Sequence, residues 1–338
     1  MSCYHPLKAV ASGQTVNGKT NYHFLTDAYL MEYQAKNGHP FPEDKITYLP
    51  CGKCIGCRLD YSRQWADRCM LELQYHDSSY FVTLTYDDAH VPINYYADSA
   101  TGEAFPSLTL QKRDFQLFMK RLRKRFSNDS IRFFMAGEYG GVTFRPHYHA
   151  ILFGLHLNDL KLYKKSPAGY QYYNSPSLQS CWCDKQGNPI GYAVVGEVTW
   201  ESCAYTARYI MKKAKGEDKN VYSDFAIEPE FTLMSRKPGI ARWYYDDHPD
   251  LYDHEAINIS TEKGGRKIRP PKYFDKLFDI DNPERMQEIK DIRKQMAINS
   301  QTAKLARTSL CRDELLAVAE RAKENQIKSL RRCLDGFG

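Results

Sequence analysis

His147-Tyr148-His149 carries the clearest chemistry in this sequence, because it opens an apolar run, Ala150-Ile151-Leu152-Phe153, that predicts a strand over Tyr148 to Phe153. Residues i and i+2 of a strand project from one face, which sets two imidazoles about 7 Å apart at Cα on a rigid support. Such a pair can share a divalent cation, although an H-x-H pair also arises by chance. Glu138 lies nine residues earlier, after a predicted strand over Ile131 to Ala136. Tyr139-Gly140-Gly141 suits a turn, which would return the chain antiparallel and bring Glu138 beside the histidines; otherwise Glu138 is an exposed loop carboxylate. Two histidines and one carboxylate leave open positions on Mg2+ or Mn2+ for a phosphate oxygen.

A second group is Tyr205-Thr206-Ala207-Arg208-Tyr209-Ile210-Met211-Lys212-Lys213. In a helix Tyr205 and Tyr209 are one turn apart and share a face, about 5–6 Å between Cβ atoms. Lys212 and Lys213 follow three and four residues later, in reach to stabilise a phenolate or a phosphate. A phenol with a pKa of about 10 needs a cation or metal to become a nucleophile. The bland reading of the same spacing is a packed aromatic stripe.

Cys51, Cys54 and Cys57 form a C-x2-C-x2-C run. Three thiolates in one tight loop suggest metal rather than a disulfide framework, and tetrahedral zinc requires a fourth ligand. Cys3, His5 and Cys69 are the candidates, with Cys3 completing the expected set; an iron–sulfur centre and buried free thiols stay open. Cys181 and Cys183 flank Trp182 without metal-site spacing.

The elements that must position these residues mix without βαβ alternation, so the expected class is α+β with an antiparallel sheet. Tyr80 to Tyr86 is dense in β-branched and aromatic residues and predicts a strand. Phe115, Phe118, Met119, Leu122 and Phe126 recur at helical spacing over Gln111 to Phe126. The opposite face of that helix carries Lys120, Arg121, Arg123, Lys124 and Arg125, candidate contacts to DNA. An amphipathic stretch covers Leu59 to Gln74, and a polar insertion spans about Lys161 to Pro189. Ala193 to Val198 predicts another strand, and Thr199 caps a helix running to about Lys215. Beyond Pro270-Pro271 the chain is helical and charged, from about Pro283 to Arg332. The expected division is a Cys-rich segment over 1–75, a core over 76–250 and a helical basic tail over 251–338.

The composition, 42% hydrophobic and 26% charged, is that of a soluble chain. MSCYHPLKAV lacks the apolar stretch of a signal peptide, and apolar runs elsewhere are too short to span a membrane, so an intracellular location is expected. From Thr261 onward eighteen Lys and Arg face twelve Asp and Glu, an excess equal to the net charge of +6 of the whole chain. The tail is thus expected to strengthen binding to a polyanion without contributing to chemistry. The 25 tyrosines offer stacking surfaces for unpaired bases but equally well fill cores. No G-x-x-x-x-G-K-[ST] occurs, so no helicase motor is recognised.

Taken in order, Phe81-Val82-Thr83-Leu84-Thr85, Glu138, His147-Tyr148-His149 and the double-tyrosine helix with its lysines resemble the motifs of HUH rolling-circle endonucleases. The chain most resembles the replication initiators of gokushovirus-type microviruses, small single-stranded DNA phages. Cys3-Tyr4-His5-Pro6, the Cys51 to Arg58 segment and Met234-Ser235-Arg236-Lys237-Pro238-Gly239 extend the likeness over roughly residues 1 to 250. The resemblance implies an HUH-type central antiparallel sheet flanked by helices. It implies His147, His149 and Glu138 as metal ligands, the third ligand being the one that varies among such proteins. It implies Tyr205 and Tyr209 as nucleophiles forming a 5′-phosphotyrosine, then strand transfer and circle closure. The implied setting is the cytoplasm of a bacterial host, with origin DNA as partner and a host helicase and polymerase supplying unwinding and synthesis. A relaxase or transposase of the same fold, and a non-catalytic single-strand DNA-binding or packaging protein, are the alternatives.

Overall fold

A computed structural model describes residues 3–15, 20–98, 100–141, 143–166, 169–208, 220–254, 256–261 and 264–328. Packing divides the chain into two compact units, Met1–Asp60 with Glu288–Leu330 and Tyr61–Gln287 with Arg331–Gly338.

In the first unit, β1 (Leu7–Gln14) is the middle strand of an antiparallel sheet with β2 (Thr20–Phe24) and β3 (Thr47–Leu49). Helix α1 (Asp27–Asn37) starts at Thr26, whose hydroxyl accepts the Tyr29 N–H, and buries no side chain. Helix α2 (Ile55–Leu73) begins directly after the cysteine run and covers the amphipathic stretch expected over Leu59 to Gln74.

The second unit is built on a seven-stranded sheet. Its strands are β4 (Ser79–Tyr86), β7 (Arg132–Tyr139), β8 (Pro146–Phe153), β9 (Lys161–Lys165), β10 (Gln171–Asn174), β11 (Gly191–Gly196) and β12 (Phe231–Met234). They lie in the order β12-β7-β8-β4-β11-β10-β9, and every pairing is antiparallel. Two hairpins, β5 (Ile93–Ala97) with β6 (Ala104–Leu108) and β13 (Ile257–Thr261) with β14 (Gly264–Ile268), stand outside it. The helices are α3 (Lys112–Arg125), α4 (Pro176–Gln179), α5 (Trp200–Arg208), α6 (Asn220–Asp224), α7 (Arg242–Asp247) and α8 (Lys272–Asp281). Two longer helices follow, α9 (Pro283–Leu305) and α10 (Arg312–Lys328). The expected α+β class with a central antiparallel sheet is what is found. No helix among the described residues is long and apolar enough to cross a membrane.

Strand alternation sorts the core into two layers. On one face Val82, Leu84, Tyr148, Ala150 and Leu152 pack against Phe115, Phe118, Met119 and Leu122 of α3, the apolar stripe seen in the sequence. On the other, Phe81, Phe134, Ile151 and Phe153 meet Trp65, Ala66 and Cys69 of α2 and Cys203, Ala204 and Ala207 of α5. The segment expected as a polar insertion over Lys161 to Pro189 is integral instead. It supplies β9 and β10 to the sheet, and Trp182 is fully buried, its indole N–H donating to the Thr85 carbonyl at 2.8 Å. Its exposed Lys and Tyr mask this in the sequence, because edge strands are polar wherever one side meets water. Gly191 sits at φ 153°, and a Cβ there would run into the Thr85 carbonyl, so only glycine permits β11 to close on β4. Nor does the tail begin as a solvated appendage: Ile257, Ile259, Ile268, Phe274 and Met286 are all buried.

Candidate metal centre

Glu138 lies within β7 rather than in a loop, and the hairpin register pairs it directly with His147 of β8. The turn between them is closed by the Gly140 N–H to the Arg145 carbonyl at 3.0 Å, with Phe144 at φ 53°. Ala136 and Thr83 flank His149 on the neighbouring strands, and Glu138, His147, Thr85 and Tyr192 form one row across four strands. Paired residues share a face, so this row and His149 look to the same side of the sheet. Glu138, His147 and His149 are buried, at 0%, 7% and 2% exposure.

Both imidazole Nε2 atoms lie 2.9 Å from the Glu138 Oε1. The rings are 5.0 Å apart between centroids and nearly perpendicular at 83°, which aims both nitrogens at one point. His147 Nδ1 lies 3.1 Å from the Arg145 carbonyl oxygen. A carbonyl only accepts, so Nδ1 carries the hydrogen and the Nε2 lone pair is left facing the carboxylate. His149 Nδ1 is held by the Thr83 hydroxyl at 3.0 Å, and its ring stacks on Phe81 at 5.4 Å and 15°. Burial works against the charged form of Glu138, but the two imidazoles outweigh it and hold the carboxyl at about 2.

Three lone-pair donors converging in a buried pocket repel one another unless a cation lies among them. Ligands at about 2.1 Å from one ion and at right angles are about 3.0 Å apart, matching the two separations of 2.9 Å. The donor set therefore fits a divalent ion. Carboxylate oxygen with imidazole and open positions suits Mg2+ or Mn2+.

Tyr205 stands beside this cluster. Its ring is 5.2 Å from that of His149 and 6.3 Å from that of Phe81. Helix α5 is fixed there by the Thr199 hydroxyl, which accepts the Ser202 N–H as expected of a cap, and by Ser62, whose hydroxyl donates to the Ala204 carbonyl at 3.0 Å. Tyr209, Lys212 and Lys213 lie outside the described residues.

The basic face of α3 is not brought to the cluster, since α3 covers the opposite side of the sheet. Arg121 donates to the Asp184 carbonyl, and Arg123 donates to the Ile131 carbonyl and overlies Phe133, while Lys124 and Arg125 are exposed.

A second cluster gathers Cys3, Cys51, Cys54 and Cys57 within 4.8 Å of one another. The other candidates for its fourth member are placed elsewhere: His5 pairs with Glu320 at 2.6 Å, and Cys69 is buried beside Cys203. Burial pushes the thiols of Cys57 and Cys3 up. At Cys54 the same burial is outweighed by hydrogen bonds, the Tyr4 N–H foremost, which bring its thiol to about 7.

Sequence reasoning assigned no role to Thr83, Phe81 or Tyr192. The period-2 pattern Phe81, Thr83, Thr85 was the available signal for the first two. No local signal places Tyr192 in register with His147.

Comparison with known proteins agrees with this geometry. A family model for the replication-associated protein ORF2 group matches residues 79–214, a span that holds every candidate ligand of the histidine cluster and both tyrosines. Replication-associated protein ORF2 of Spiroplasma virus 4 is 30% identical over 342 residues, covering 99% of this chain and 98% of that protein. The chain belongs to the replication-associated proteins of gokushovirus-type microviruses. Replication-associated protein VP4 of Bdellovibrio phage phiMH2K is likewise 30% identical, over 71% of this chain and 70% of that protein. Replication-associated protein ORF4 of Chlamydia phage 1 matches at 30% over 55% of this chain and 43% of that protein. No solved structure matches the chain. Membership of this family assigns the chain to phage DNA replication.

Proposed function

We propose that this chain initiates rolling-circle replication by nicking single-stranded origin DNA with tyrosine. The observation that carries the reading is the placement of the Tyr205 ring 5.2 Å from His149, at the edge of a buried Glu138–His147–His149 cluster. A nucleophile-bearing helix packed on a divalent-ion site is an arrangement for phosphoryl transfer.

Glu138, His147 and His149 hold the ion, Mg2+ or Mn2+, which when bound draws charge from a phosphate oxygen of the scissile link. The chain's own residues do the rest. Thr83 and the Arg145 carbonyl orient the two imidazoles. One of Tyr205 and Tyr209 attacks phosphorus through its phenol oxygen. The new Tyr–O–P bond forms as the P–O3′ bond breaks, the phenol proton passes to solvent, and the leaving oxygen takes up a proton to become a 3′-OH that primes synthesis. After one round the other tyrosine cuts the regenerated junction, and the free 3′-OH attacks the first phosphotyrosyl, restoring its phenol and closing a circle. Lys212 and Lys213 stabilise the phenolate or phosphate. A host helicase and polymerase act with it in the bacterial cytoplasm. The core over 76–250 carries the chemistry, with Arg121, Arg123, Lys124 and Arg125 and the tail over 251–338 contributing contacts to DNA.

The test is incubation with single-stranded origin DNA and Mn2+, followed by denaturing electrophoresis. A covalent adduct that survives denaturation is expected. DNA that binds without any adduct would leave a non-catalytic single-strand binding protein.

A further inference from the structure

We infer that Cys3, Cys51, Cys54 and Cys57 form a mononuclear four-thiolate zinc site that staples the first compact unit. Its distances fit one ion. Tetrahedral zinc with sulfur at about 2.3 Å sets neighbouring sulfurs about 3.8 Å apart. Cys54 and Cys3 are 3.8 Å apart at Sγ, and Cys51 and Cys57 are 4.0 Å apart. All four ligand atoms lie within 4.8 Å of one another. A multi-iron cluster spreads its thiolates over several irons and so separates them further, and a disulfide needs about 2.05 Å.

The backbone is arranged for thiolates. The Tyr4 N–H donates to the Cys54 sulfur at 3.3 Å, the Cys51 N–H to Cys3 at 3.3 Å, and the Lys53 and Cys54 N–H groups to Cys51 at 3.4 and 3.3 Å. Gly52, at φ 71°, lets the chain turn tightly enough for two of these donors to reach back. Such N–H groups stabilise sulfur that is negative, and four thiolates together require a soft cation. The hard carboxylate and imidazole donors around Glu138 serve a different class of ion, so the two sites are chemically distinct.

The unit also needs a staple. Among its described residues the buried apolar side chains are Cys3, Ala9, Leu25 and Cys54, and two of these four belong to the cluster. A three-stranded sheet and helices with so little apolar burial do not hold together by the hydrophobic effect alone. The metal would join the start of the chain at Cys3 to the first turn of α2 at Cys57, making binding and folding of this unit one event.

Full-length protein purified under reducing conditions, without chelator, decides the matter by elemental analysis and by cobalt substitution. About one zinc per chain is expected, retained when His147→Ala and His149→Ala are combined. Protein loaded with Co2+ should show thiolate-to-cobalt charge transfer and strong tetrahedral visible bands, weakened and shifted in Cys57→Ser. If Cys57→Ser does not fold, the cobalt spectrum of the unaltered chain still decides. Removal of zinc with a thiol-reactive mercurial should open residues 1–60 to protease. Metal-free protein that gives no cobalt–thiolate bands overturns the site. Iron in place of zinc, with or without inorganic sulfide, overturns the assignment of the ion, and an unchanged protease pattern after zinc removal overturns the stapling role. Loss of zinc in the histidine variant would place the ion at the other cluster and sink the inference while leaving the nicking proposal standing.

Discussion

Replacing Thr83 by Val removes one oxygen and keeps the shape of a side chain that is 3% exposed. That oxygen holds His149 Nδ1 at 3.0 Å, so the substitution frees the ring to turn and leaves a buried nitrogen without its hydrogen bond. Losing one such bond inside a protein costs about 1–3 kcal/mol. Removing the outer partner of a metal-ligating histidine typically weakens metal binding about 10- to 100-fold, or about 1.4–2.7 kcal/mol. Phe81 still stacks on the ring at 5.4 Å, so its position is partly kept and the lower half of that range is expected. Nicking measured against Mn2+ concentration should therefore show a midpoint raised about 10- to 30-fold, with the rate recovering at saturating ion. Thr83→Ser should stay near the parent, since it restores the hydroxyl. A folded Thr83→Val protein with an unchanged Mn2+ midpoint would refute the reasoning, because the orientation of His149 would not depend on the hydroxyl.

Other perturbations separate the remaining assignments. His147→Ala or His149→Ala should abolish nicking with far-ultraviolet circular dichroism preserved; wild-type cleavage in Mn2+ by either would remove it from the ligand set. Tyr205→Phe with Tyr209→Phe should eliminate the covalent adduct, and each single variant should nick short substrates but fail to release unit-length circles; an adduct from the double variant would move the nucleophile elsewhere. Glu72→Ala should destabilise the protein by about 3–5 kcal/mol in denaturant titrations, because it strands buried Arg132, whose guanidinium also holds the Pro238 and Gly239 carbonyls. Although burial tends to raise the Glu72 carboxyl, hydrogen bonds from His76, the Ala241 N–H and Arg132 outweigh it and hold it below its ordinary 4.5. A carboxyl depressed in the folded state stabilises fully above its unfolded value and loses that contribution as pH falls through the folded one. The gap in stability between parent and Glu72→Gln should narrow below about pH 4.5; a constant gap down to about pH 3 would exclude this linkage.

Local pattern alone determined the strands around Tyr80–Tyr86 and Tyr148–Phe153, the α3 helix and the Thr199 cap, because period and capping chemistry are properties of neighbouring residues. It also put both histidines on one face, since i and i+2 in a strand can do nothing else. Tertiary structure decided the rest. Glu138 faces His147 because the hairpin closes in one register; a slip of one residue would have turned its carboxylate to the α3 side of the sheet. Cys3 and Cys51 are 48 residues apart, and only the antiparallel return of β1 on β3 made Cys3, rather than His5 or Cys69, the fourth thiol. The basic stripe of α3 was legible as charge, but the face of the sheet it covers was not, because both layers of the core are equally apolar in sequence. Residue types and local spacing thus determined which groups could do chemistry, while strand order and register, set by packing between distant residues, decided which of them meet.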